Sequence, residues 1–151
     1  MKQEIIQIIT AAIGTLGFSI YFRVSEKNVI ASTFGGALGW AVYLIIFELT
    51  SSIFFANFVA ALVLNIYSEI VARCLKAPAN IFLIPGIVAL LPGAALYYTM
   101  SGLVNSDSQM FTDNLVKTGL ITFGIAVGIV VGSVLFIYIE KFVNKHKKKK
   151  Q

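Results

Sequence analysis

Five mainly apolar runs, at residues 5–22, 29–47, 53–72, 80–100 and 116–138, decide what this chain can fold into. A helix needs about 20 such residues to cross the hydrocarbon of a bilayer. No water reaches that layer, so each crossing must satisfy its own backbone groups, as a helix does. Composition agrees: only 13% of the 151 residues are charged and 58% are hydrophobic, where a soluble domain carries about 25% charged residues. The expected fold is an all-α integral membrane protein. Residues 1–140 form a single transmembrane domain of five helices, and residues 141–151 form a basic tail. The first run follows Lys2 as a secretory signal would. The "YFRVSEKN" after it has no small-x-small cleavage pattern, so it is read as a retained helix.

The basic residues set an orientation. Arg23 and Lys27 follow the first run, Arg73 and Lys76 the third, and Lys141, Lys145 and the four lysines 147–150 the fifth. With five crossings these regions share one side, which then holds ten of the twelve basic residues; Lys2 and Lys117 lie opposite. Lysine and arginine concentrate in cytoplasmic connections. The N-terminus is therefore expected outside and the C-terminus in the cytoplasm. A basic tail beside an apolar segment marks that face and is not read as a nucleic-acid site.

The fourth run, "IFLIPGIVALLPGAALYY", carries the pairs Pro85/Gly86 and Pro92/Gly93. Proline removes a backbone donor and clashes with the preceding turn. The fourth helix is thus expected to break at both pairs. The prolines are seven residues apart, so both breaks point to nearly the same face. Glycine permits close approach or unusual backbone angles. Freed backbone groups at membrane depth need protein, water or a ligand, and discontinuous helices of transporters use them to hold substrates and ions. Two kinks packed against neighbouring helices are the plainer alternative.

Just ahead, Asn65, Glu69 and Arg73 recur at four-residue intervals in "NIYSEIVARCLKAP", forming one helical stripe. Glu69 and Arg73 could simply pair at the interface, with Arg73 extending outward. A polar stripe entering the membrane should otherwise face protein or a wet cavity. Candidate substrate- or ion-path residues are therefore Asn65, Glu69, Arg73, Pro85, Gly86, Pro92 and Gly93. Two glycine stripes, Gly35 with Gly39, and Gly124 with Gly128 and Gly132, are candidates for helix packing within the chain or against another chain.

The stretch "SEIVARCLKAPANIFLIPGIVALLPGAALYY" resembles the small membrane component of the threonine/serine exporter family. The shared features are a Glu and Arg closing one helix, a Lys-x-Pro loop, "IPGIVALLPG" and a following Tyr. By position Glu69, Arg73, Pro78, Pro85, Pro92 and Gly93 match. Hydropathy extends the likeness over about residues 5–140. The resemblance implies export of small polar metabolites such as threonine and serine, or of dicarboxylates, across a bacterial cytoplasmic membrane. It also implies a larger membrane partner, with this chain as the short half of a split form.

Other residues have plainer readings. The lone Cys74 excludes an intramolecular disulfide, and with His146 the only histidine a Cys/His zinc site is not expected. No phosphate-binding G-x-x-x-x-G-K-[ST] run and no Ser/His/Asp constellation is present, so neither a cofactor nor enzymatic activity is expected. Glu48 is read as interfacial, and Trp40, Tyr97 and Tyr98 as packing or interface anchors. Asp107 and Asp113 are placed in a polar, mobile outer loop, "SGLVNSDSQMFTDN".

Two functions remain: part of a secondary exporter, or a structural subunit stabilising a partner that carries the transport site. A homo-oligomeric pore is a third, weaker option. The topology is directly testable. In a Cys74→Ser background, cysteines at Gln3 and Gln151 should label from opposite sides of the membrane. Labelling of both from one side would rule out an odd number of crossings.

Overall fold

The structure, a computed structural model, describes residues 2–148, with side chains described for 2–141. Lys149, Lys150 and Gln151 of the basic tail lie outside the described residues, as do the side chains of Lys145, His146, Lys147 and Lys148. Six helices make up the fold: α1 (Lys2–Tyr21), α2 (Glu26–Thr50), α3 (Ile53–Leu75), α4 (Asn80–Val88), α5 (Gly93–Val104) and α6 (Ser108–Lys148). Among the described residues there is no strand. α1, α2, α3 and α6 are each long and apolar enough to cross a membrane, and α4 with α5 passes the same test as a pair bent by 49°, which makes four candidate spans, or five with the bent pair counted as one.

α3 is the centre. It packs on α2, α4 and α6, and its buried residues are small or polar apart from Leu64. Leu64 is fully buried and fills a notch cut by three glycines. A Cβ built on Gly86 would lie 3.0 Å from a Leu64 methyl, one on Gly35 at 3.4 Å and one on Gly39 at 3.6 Å. Any larger residue there would push α2 or α4 off α3. On another side of α3, Gly124 faces the Phe54 carbonyl, Gly128 the Phe58 carbonyl and Gly132 the Asn65 side chain. A Cβ on Gly128 would come within 2.5 Å of the Phe58 carbonyl oxygen, a separation that backbone cannot accommodate.

These contacts also give direction. Along α6 from Gly124 to Glu140 the α3 partners advance from Phe54 to Arg73, so α3 and α6 run parallel. Two consecutive parallel crossings require one return crossing between them. α4 and α5, bent by 49° to each other, are the segment that brings the chain back between them. α1 is antiparallel to α2: Gly36 sits over Thr15, and Ser19 donates to Ser32 at 2.9 Å. The Tyr67 hydroxyl donates to the Ala31 carbonyl at 2.8 Å and ties α3 to α2.

Three expectations need correction. Pro85 does not break the helix; α4 runs through it to Val88, and the only interruption in this span is at 89–92. Pro85 is buried and Gly86 lies against Leu64 and the Gly36 backbone, so packing holds the turn that proline weakens. No described glycine has positive φ; Gly86 serves close approach instead. The outer loop is not a 14-residue connection. α5 continues to Val104, a left-handed Ser106 closes it, and Asp107 caps α6 by accepting from the Met110 N–H at 3.0 Å. Gly102 permits this hairpin: a Cβ there would lie 2.6 Å from the Phe111 nitrogen. α6 consequently starts eight residues before the expected span at 116 and continues into the basic tail.

Gly128→Leu should destabilise the protein by about 1–3 kcal/mol or prevent its assembly, because overpacking meets backbone here. Val130→Leu, on the exposed side of the same helix, should change little. Thermal unfolding in detergent checks this, and equal small effects would place the glycine stripe outside the packing.

Candidate functional site

α4 has nine residues, a rise of about 14 Å. That is about half the thickness of a hydrocarbon layer of about 30 Å. At its end the hydrogen bonding changes. Leu90 and Leu91 donate three residues back, to Ile87 and Val88, and Gly93 donates to Leu91. Pro92 has no N–H to give. The Ala89 and Leu90 carbonyls are left without a backbone donor, and α5 begins with unpaired N–H groups as any helix does. A Cβ on Gly93 would meet nothing within 4 Å, so this side of the break is open.

The break borders a cavity of about 330 Å³, lined by Val88 at the end of α4, Ala89 of the break, and Gln7, Thr10, Gly14 and Trp40. That volume falls within the range of small-molecule sites, about 300–1,000 Å³. The Trp40 indole N–H is buried with no acceptor, an arrangement that costs about 1–3 kcal/mol unless another group supplies one. Sequence reading assigned Gln7 and Thr10 no role and took Trp40 as an anchor. The available signal was spacing: Gln7, Thr10 and Gly14 fall three and four residues apart and so share one face of α1.

The polar stripe of α3 lies elsewhere. Asn65 is buried, bonds to Ser133 at 3.2 Å and rests on Gly132. Arg73 pairs with Glu69 and with Glu140 of α6, both at 2.8 Å, and stacks over Phe136. Glu69 keeps 27% of its side chain exposed and Arg73 46%, so solvent screens these pairs. Asn65 and Arg73 therefore turn toward α6, and Glu69 pairs with Arg73. Gly86 lies by Leu64, a position about 100° from Asn65 around the helix, and Pro85 faces the cleft toward the end of α1. The structure thus divides the candidates into two groups: Asn65, Glu69 and Arg73 with α6, and Pro85, Gly86, Pro92 and Gly93 along the bent span. Glu140, the third member of the charged cluster, had no sequence signal linking it to Arg73, because 67 residues separate them.

Comparison with known proteins follows the same lines. No solved structure matches the chain. An uncharacterised protein of Haemophilus influenzae is 24% identical over 136 residues, covering 90% of this chain and 46% of the relative. The chain thus spans about half the length of the curated relative it matches. The sequence model of the family described as Threonine/Serine exporter, ThrE, matches residues 7–135, from the cavity wall on α1 through the glycine stripe of α6. With that match over most of its length, the chain belongs to the threonine/serine exporter family.

Proposed function

We propose that this chain is part of a secondary transporter that exports small polar metabolites, threonine and serine foremost, and works with a larger membrane component. One observation carries the reading: a bent span interrupted between α4 and α5 beside a cavity of about 330 Å³. Free carbonyls there suit an ammonium or hydroxyl group, and the N-terminal end of α5 suits a carboxylate. Gln7 and Thr10 add polar side chains to the lining. The longer relative is consistent with a further membrane half completing the wall. The charge asymmetry supports a cytoplasmic C-terminus.

In this reading Pro92 and Gly93 keep the site open and Pro85 and Gly86 set the approach of α4, while Glu69 with Arg73, on the α6 side of α3 and outside the cavity lining, serves a second part of the path. A structural role for the α3 stripe is the competing account. It is favoured by the Asn65 bond to Ser133 and the Arg73 pair with Glu140, which satisfy the stripe within the chain. In that case the partner carries the transport site.

Efflux of labelled threonine and serine, measured with the partner present and normalised to assembled complex, separates the two. Pro92→Ala should restore a backbone donor, straighten the span and slow efflux on the order of tenfold to a hundredfold. Glu69→Gln should slow it while leaving assembly intact. If both variants match the parent, the break and stripe are architectural and the site lies in the partner.

A further inference from the structure

A second cavity, of about 360 Å³, lies at the basic end of the same cleft between α1 and α4. Phe22, Arg23, Asn80, Ile81 and Pro85 line it. Phe18 lines the mid-span cavity and Phe22 the basic-end one. Their rings stack with centroids 6.1 Å apart. Arg23 is held at the mouth by the backbone. It is left-handed, with φ 55°, and the Val24 N–H closes the end of α1 on the Ser19 carbonyl at 2.9 Å, as in a helix-ending motif that usually employs glycine. Among the described residues Arg23 has no ion pair. Across the cavity Pro85 has no N–H for the Ile81 carbonyl, its usual helical acceptor.

We infer that this basic-end cavity is an entry vestibule for a zwitterionic substrate, and that Phe18 and Phe22 form the gate between it and the mid-span cavity. The inference rests on the exporter reading for the identity of the cargo. Arg23 receives the carboxylate, for which its planar guanidinium offers two parallel donors. The Ile81 carbonyl, freed by Pro85, receives the ammonium group. An apolar constriction between two wetter chambers closes by excluding water and opens when the rings part. This gives Pro85 a use that does not require breaking the helix.

Thiol labelling in membrane vesicles tests the vestibule without requiring transport. The full chain carries Cys74→Ser and one new cysteine. Ile84→Cys, at a half-exposed position lining the basic-end cavity, should react with a charged, membrane-impermeant reagent added from the Arg23 side. Gly14→Cys, where an added Cβ meets nothing within 4 Å, should react slowly. It should react about tenfold faster or more when Phe18→Ala or Phe22→Ala removes the constriction. Phe22→Leu, which keeps apolar bulk, should leave it slow. Reaction of Ile84→Cys only with a lipid-soluble reagent would mean that acyl chains fill the cleft and would overturn the vestibule. Equal Gly14→Cys rates in all backgrounds would overturn the gate. For the cargo, Arg23→Gln should raise the efflux KM for threonine about tenfold, as loss of a charge-assisted contact does, and Arg23→Lys should recover much of it. An unchanged KM removes Arg23 from the site. Absence of threonine or serine efflux in the parent rejects the exporter reading, while the labelling pattern still decides the vestibule.

Discussion

In a bilayer, apolar side chains gain little by leaving lipid for protein, so helices are held by close van der Waals contact and interhelical hydrogen bonds. Here that requirement falls on α3. Leu64 fits the notch formed by Gly35, Gly39 and Gly86, and Gly124 and Gly128 bring α6 onto the α3 backbone. The two arrangements differ in kind. Toward α2 and α4 a side chain fills a space left by absent side chains. Toward α6 backbone meets backbone, and Asn65 with Ser133 adds a polar tie. Everything else, including the position of the bent span, is referred to this central helix.

The division of α3 into two faces explains how an interrupted span is tolerated. α4 is short and loses a donor at Pro85, yet Phe82, Pro85 and Gly86 are buried, so the α4 half is anchored. The α5 half is anchored separately, because α5 packs on α6. Between them Leu90 is buried in the core beside Leu64, so the break itself is held by packing.

Much of this was legible in the chain. The apolar runs foretold an all-helical membrane protein with four or five candidate spans, and the central motif pointed to the family. Boundaries were less legible because α1, α3 and α5 end on left-handed Arg23, Lys76 and Ser106, where no glycine announces the stop. Pro85 misled because propensity speaks for an isolated helix, while the Leu64 contact on Gly86 decides the outcome here. The 101–114 stretch looked like a loop from its polar residues, but Asp107 caps a helix and Gly102 admits a tight hairpin. The mid-span cavity could not be read at all, because it depends on α1 standing beside α4, far apart in the chain.

The parallel alignment of α3 and α6 has a consequence for biogenesis. A hairpin of neighbouring antiparallel helices can form as soon as its second arm is made. A parallel pair cannot, since the chain must first cross back through α4 and α5. During synthesis the α6-facing side of α3 therefore waits in the membrane with Asn65 uncovered, until residues near Ser133 arrive. A polar amide facing lipid is costly, and the bond to Ser133 relieves that cost once α6 is in place. Arrival of α6 hides the amide and ends that exposure, which makes the final helix the step that commits the nascent protein to its mature form.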